Sequence, residues 1–395
     1  MSVPTLSREF RAIALVAPLF LFFAVLFIWP LWMMMSAAVQ DDTVSRALPQ
    51  TAAAMADWDG KTPLPDEVRN GFVRDLRGSD DQEIFGNAVR RLNSDLSGFR
   101  SLLTRTRSAV RDAAPETSVD LTAIDPRWGE PRYWAIMKVA MPRYTDRNLL
   151  AAVDLRRDQS GAIVAEAAEA SANRQIMLRT LIVAGLVTVL CAAIGLPYAV
   201  LAASVTGWKR SVLLLAVLLP LWTSLLVRTA AWLVLLQNEG LINKALISLG
   251  LIGAPLALIF NRTGVLIAMT HVLLPFMVLP IYSVVVAIPK NLMPAAASMG
   301  ASPLRAFWRV LLPLSLPGVY SGSLLVFMVA TGYYITPALV GGANDQMISS
   351  VIAFYAMGTA NWGMAGALGL ILLLVTLLLY AVYGRLSQSK PVLGA

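Results

Sequence analysis

Long stretches without a charged residue constrain this 395-residue chain more than any other feature. About 20 apolar residues cross the hydrocarbon core of a bilayer, and runs of that length recur. Ala12 to Gln40 and Thr180 to Trp208 are uncharged, Ser211 to Leu236 is interrupted only by Arg228, and Thr263 to Pro289 makes a fourth run. Two more spans fall at roughly Leu316 to Gly341 and Trp362 to Gly384. The pattern predicts an all-α polytopic membrane protein with six transmembrane helices. Ala245 to Asn261 is also uncharged, but Gly250, Gly253 and Pro255 break it, so it reads as an interfacial or re-entrant piece.

Composition agrees. Only 14 % of residues are charged and 57 % are hydrophobic, which argues against a set of soluble domains and against disorder. The single cysteine, Cys191, rules out an intramolecular disulfide, and the lone His271 has no cysteine partner for a zinc site, so no metal is expected.

Orientation follows from Lys and Arg in the short flanks and loops. One side collects Arg8, Arg11, Lys209, Arg210, Lys290, Arg305, Arg309, Arg385 and Lys390, with Glu9 its one acid. The other side's short loops hold Lys244 and Arg262 against Glu239 and Asp345. Both termini are therefore expected in the cytoplasm. The formal charge of +8 is a topological signal, and no nucleic-acid partner is expected. Ser36 and Ala38 give the first run a superficial look of a secretory signal. Its apolar stretch is about twice the usual 7–15 residues of such a signal, which favours an uncleaved helix.

Between the first two spans the composition changes. Ser36 to Ile176 holds 19 Lys and Arg against 21 Asp and Glu, leaving 13 basic and 3 acidic residues for the rest. The chain thus divides into 1–40, a tail and first helix; 41–176, an extracytoplasmic (periplasmic) insert; and 177–395, a core with helices two to six and a cytoplasmic loop, 289–317. The insert reads as helical. Pro65-Asp66-Glu67 suits a helix start, and Phe72, Leu76, Ile84, Phe85, Val89, Leu92, Leu96, Phe99, Leu102 and Leu103 recur at helical spacings. Another helix is expected around Tyr133 to Ala140. Asp80-Asp81 reads as a solvated helix start rather than a calcium site.

The most informative segment is MPAAASMGASPLRAFWRVLLPLSLPG, Met293 to Gly318. Pro294 through Ala297, with Ala295 and Ala296, can open a short helix that Gly300 ends in the left-handed conformation. Ser302 then supplies an N-cap oxygen and Pro303 the first position of a second helix. Leu304, Phe307, Trp308 and Leu311 form an apolar face, Arg305 and Arg309 lie four apart on another, and Pro313 and Pro317 mark the start of the fifth span. An ordinary amphipathic linker would need no such fixed turn, whereas exposed Phe and Arg at a fixed angle suit docking.

This segment resembles the EAA loop, the coupling motif of ABC importer permeases. Ala295, Ala296, Gly300 and Leu312-Pro313 fit that pattern, while its Glu position is Pro294 and a common Asp position is Ser298. LPLWTSLLVRTAAW (Leu219 to Trp232), NEGLIN (Asn238 to Asn243), NRTGVLIAMTHVLLPFMVLPIY (Asn261 to Tyr282) and GYYITPALVGG (Gly332 to Gly342) resemble the spermidine/putrescine-type permeases. The resemblance implies the type I ABC importer fold in a bacterial inner membrane. It also implies two ABC ATPase subunits, a second homologous permease in a heterodimer, a periplasmic solute-binding protein and surrounding lipid. The chain has no G-x-x-x-x-G-K loop followed by Ser or Thr. It is expected to be no enzyme and to hold no cofactor, with ATP and Mg bound by the partner ATPase.

Pathway candidates come from ionisable and aromatic residues at membrane depth. Arg228 is either a gate or anion contact or a structural residue bonding carbonyls or snorkelling, the structural or gating role being favoured. Trp222 and Trp232 flank it, and Tyr333 and Tyr334 sit between Gly332 and Pro337 where a helix is expected to break. Such rings can hold an ammonium by cation–π contact, or simply pack. Many polyamine permeases carry an Asp where Tyr333 stands. Polyamine uptake leads by resemblance, with a neutral or anionic amino-acid derivative or opine-like compound as rival. A membrane sensor would need a cytoplasmic output domain, and a secondary carrier would show inverted repeats or a proton relay; neither is evident.

Overall fold

The computed structural model describes residues 8–59, 63–114, 119–158, 162–167, 172–359 and 361–388; Lys390, used above for orientation, lies outside them. Contacts divide the chain into two units, Met1–Leu149 and Leu150–Ala395.

In the first unit an apolar helix, Leu15–Ala37, is long enough to cross a bilayer and buries none of its apolar window within the chain. A helical bundle follows, built from Pro49–Ala56, Asp66–Gly78, Gln82–Asp95, Phe99–Asp112 and Pro131–Ala140 among others. Its core holds Phe72, Leu76, Leu92, Phe99 and Leu102, all fully buried. Phe72, Trp128 and Trp134 form a ring cluster with centroids 4.8–5.5 Å apart. Both indole N–H groups are satisfied, Trp128 donating to Thr106 Oγ1 and Trp134 to the Trp128 carbonyl, as burial of such rings requires. The expected apolar stripe is therefore the core, apart from Ile84, which is exposed; in the later helix, Val139 is exposed too. Asp81 caps the helix after it by accepting from the Glu83 and Ile84 amides.

The two ends of this bundle are zipped together. Asp41 N donates to the Arg143 carbonyl and Thr145 N to the Val39 carbonyl, both at 2.9 Å. Beside them Arg91 pairs with Asp41 and Asp95, and Arg147 with Asp95. Burial opposes ionisation of Asp41, but the Arg91 guanidinium outweighs it and holds the carboxyl below its ordinary value.

The second unit opens with a feature the helical reading missed, an antiparallel hairpin pairing Leu155–Arg157 with Ile163–Ala165. Asp154, buried and with φ 55°, precedes it. Its carboxylate accepts from the Asn173 and Arg174 amides at 3.0 and 2.8 Å, so it caps the helix Asn173–Ser204 from 19 residues away. A carboxylate there meets free N–H groups and the positive end of the helix dipole.

The centre of this unit is three packed helices, Asn173–Ser204, Arg262–Ala287 and Pro303–Gly332. Between membrane helices the driving force is van der Waals contact, which small residues maximise by letting backbones approach. Gly318 lies so close to Ile281 that an added Cβ would sit 2.8 Å from its Cα, and Gly195 and Gly322 face Met277 in the same way. Trp362–Arg385 packs outside this core, with Tyr383 edge-on to Tyr320.

Two spans depart from expectation. The third is broken: Trp208–Trp222 and Leu225–Leu235 are set at 102°. Pro220 removes an amide from the last turn of the first piece, and Thr223 Oγ1 donates back to the Pro220 carbonyl, ending the helix there. The fifth is displaced towards its N-terminus. It runs continuously over Pro303–Gly332, so Pro313 and Pro317 lie inside it rather than at its start. A π-helical turn at Phe307–Leu311 precedes Pro313 and widens the ladder where that residue lacks its N–H. After Gly332 the helix breaks, and Ile335–Val340 forms a separate short helix. Leu241–Ser248 is likewise short, followed by an irregular stretch to Asn261. Buried Asn243 ties that stretch down through the Leu256 amide and carbonyl and the Gln237 carbonyl.

Candidate transport pathway and coupling loop

The loop after the helix Arg262–Ala287 contains a short helix, Leu292–Ser298, closed by a specific hydrogen-bond pattern. Gly300 N donates to the Ala297 carbonyl at 2.9 Å and Ala301 N to the Ala296 carbonyl at 3.0 Å. That pair is the Schellman closure, and it needs the left-handed φ of 81° that Gly300 adopts. Ser302 then caps the next helix, its Oγ accepting from Arg305 N, with Pro303 at the first position. Ala296 and Ala306 are buried. Ala295, Met299, Leu304, Arg305, Trp308 and Arg309 are exposed, while Phe307 and Pro313 are half-buried. The turn presents an apolar and basic surface at a fixed angle.

The pathway candidates are distributed around two helix breaks. At the first, Arg228 donates through Nη2 to the Thr223 carbonyl at 2.8 Å and through Nε to Thr223 Oγ1 at 3.2 Å. The guanidinium thus satisfies a carbonyl left free at the end of Trp208–Trp222, the kind of group a helix terminus exposes. At the next residue, Thr229 Oγ1 meets Thr336 Oγ1 at 3.1 Å, and both threonines are buried. This bond joins the half-helix after the first break to the half-helix after the second. At the second break, Ser349 Oγ donates to the Tyr333 carbonyl and Ser350 Oγ to that of Tyr334.

A third element adds a residue that sequence reasoning treated only as a poor zinc ligand. Trp232 Nε1 donates to His271 Nδ1 at 3.1 Å, with the rings edge-to-face at 5.3 Å. Arg228 and Trp232 lie four residues apart on one face of the half-helix Leu225–Leu235, and the Thr229–Thr336 bond sets the short helix after Tyr333 against the same half-helix. Arg228 therefore stands on the same helix face as the Trp232–His271 pair, and Tyr333 at the neighbouring break. Trp222 and Tyr334 stand outside the Trp232–His271 pair, Trp222 at 80 % exposure and Tyr334 at 39 %. The signal for His271 was its position: an imidazole near the middle of an uncharged run is costly unless it faces a partner or a water-filled path. From Asn173 onward the only acids are Glu239 and Asp345, both outside the long helices.

Comparison with known proteins assigns this architecture. The binding-protein-dependent transport system inner membrane component family matches residues 195–390. The spermidine/putrescine transport system permease protein PotB of Haemophilus influenzae is 34 % identical over 214 residues, covering 54 % of this chain and 75 % of that protein. The chain belongs to this family of inner-membrane permeases. PotB of Escherichia coli is 34 % identical to the permease over 54 % of it and 78 % of the relative. The inner membrane ABC transporter permease protein YdcU of Escherichia coli is 33 % identical, over 54 % of the permease and 72 % of the relative. Among solved structures, a bacterial alginate ABC transporter in complex with alginate pentasaccharide-bound periplasmic protein aligns at a TM-score of 0.47 and 17 % identity, covering 56 % of the permease and 81 % of that chain. The permease is thus a multi-pass inner-membrane protein of the type I ABC importer kind and a translocation subunit rather than a catalyst.

Proposed function

We propose that the permease forms half of the translocation path of an ATP-driven importer for an organic cation of the polyamine class. A periplasmic solute-binding protein delivers the solute, a second homologous permease completes the path, and a pair of ATPase subunits binds ATP and Mg. Both termini and the loop 289–317 face the cytoplasm, in keeping with the basic residues there, and the insert 41–176 faces the periplasm. The observation that carries the coupling assignment is the rigid turn at Gly300, which holds Met299, Leu304 and Trp308 outward. Exposed aromatic and apolar residues on a fixed backbone are what a docking element requires. The relatives named for spermidine and putrescine supply the solute class.

A second reading, import of a neutral or anionic amino-acid derivative or opine-like compound, is favoured by one observation. Arg228 is the fixed charge among the pathway candidates, and no carboxylate is among them. The test is ATP hydrolysis by the complete complex in nanodiscs with its binding protein. Stimulation by spermidine or putrescine is expected. Stimulation by carboxylate-bearing derivatives alone would overturn the polyamine assignment, and no stimulation by any solute would overturn the importer reading.

A further inference from the structure

His271 is the one histidine of the chain, and it lies near the middle of the apolar helix Arg262–Ala287 with its side chain uncovered. Nothing in membrane coupling calls for an imidazole there. Its contact with Trp232 is specific: the indole N–H can only donate, so Nδ1 must accept, which leaves the ring proton on Nε2. The bond links two elements far apart in sequence, the half-helix Leu225–Leu235 and the long helix Arg262–Ala287. Leu225–Leu235 follows a 102° break, so its place is set by tertiary contacts rather than by continuation of the helix before it. The Thr229–Thr336 bond fixes that half-helix on one side, and the Trp232–His271 bond fixes it on another. An indole held at its nitrogen has a defined plane, and a cation–π contact depends on the cation lying over that plane.

Resting on the reading of the solute as an organic cation, we infer that His271 is a positioning residue: through Nδ1 it fixes the Trp232 indole as the solute-contacting ring of this half of the path. Trp232 thereby offers an aromatic surface for an ammonium group at a place where no carboxylate joins the Trp232–His271 pair. The role of His271 is to orient Trp232, while Arg228 is tied back to Thr223.

Two measurements on the full complex test this. The first is independent of solute: with one histidine, a ¹⁵N-histidine-labelled permease assembled with unlabelled partner subunits in nanodiscs, and purified without a histidine tag, gives a single imidazole. The expected signal is the neutral Nε2–H tautomer with Nδ1 accepting, and Trp232→Phe should shift Nδ1 alone. A protonated Nδ1, or a signal indifferent to Trp232→Phe, would overturn the inference. The second is spermidine-stimulated ATP hydrolysis. His271→Phe keeps the ring packing and removes the acceptor; it should raise the KM for spermidine roughly three- to tenfold with the maximal rate within about twofold. His271→Asn, which restores an acceptor near Nδ1, should recover most of that loss, and adding Trp232→Phe to His271→Phe should cost nothing further. An unchanged KM in His271→Phe, or a loss that Asn does not rescue, would overturn the role. A native complex that ignores spermidine sinks the polyamine assignment instead, and the positioning assignment then stands or falls on the imidazole signal.

Discussion

Gly318→Ala should loosen the three-helix core, although on helix propensity alone it should tighten it. In a helix interior, Ala is favoured over Gly by about 1 kcal/mol. Here the new Cβ would lie 2.8 Å from Ile281 Cα, 2.9 Å from the Pro280 carbonyl and 3.1 Å from Val284 Cβ. Two of these are backbone atoms and cannot rotate away. Ordinary contact begins near 3.4 Å, so the two helices would have to separate by about 0.6 Å. Overpacking of this sort costs about 1–3 kcal/mol. The reporter is already in place, because Cys191 is the chain's one cysteine and is fully buried in the same cluster as Met277 and Ile281. Its labelling by a fluorogenic maleimide requires the core to open. If labelling follows the open population, 1–3 kcal/mol corresponds to about 5- to 150-fold faster reaction. Gly185→Ala is the control: it lies on the same helix as Cys191 with nothing within 4 Å of its new Cβ, and its labelling should not quicken. Unchanged or slower labelling in Gly318→Ala would refute the close-approach argument.

Two further outcomes are expected. Gly300→Val should abolish co-purification of the ATPase while leaving the permease in the membrane, since a β-branched residue resists φ 81°; Gly300→Asn, which tolerates that region, should retain binding, and loss in both would point to side-chain size instead. In the insert, hydrogen bonding to Arg127 holds the Asp125 carboxyl down at about 2, against an ordinary 3.8. A depressed carboxyl stabilises the fold above its unfolded value and loses that contribution as pH falls through its folded value, so hydrogen exchange around Trp128 should accelerate between about pH 4 and pH 2, and Asp125→Asn should remove that step.

What the amino-acid order determined on its own was local. Absence of charge over about 20 residues placed the first, second, fourth and sixth membrane helices, because the penalty for a buried charge falls residue by residue; the fifth starts earlier than that rule allowed, running over Arg305 and Arg309. The turn at Gly300, Ser302 and Pro303 was equally legible, since each hydrogen bond in it closes within five residues. The insert's apolar stripe identified Phe72, Leu76, Leu92 and Phe99 as core for the same reason, helical spacing being a short-range property. The tertiary structure alone decided the rest. Asp154 caps a helix from 19 residues away, Trp232 meets His271 across 39, and Thr229 meets Thr336 across 107. The 102° bend is a borderline case: Pro220 and Thr223 permit it, but so would a kinked continuous span. Arg228, folding back onto Thr223, occupies the carbonyl that the break leaves free. A composition or a period records which groups must be buried or satisfied. It does not record which partner satisfies them, because loop closure brings together distant residues at a cost that grows only slowly with their separation.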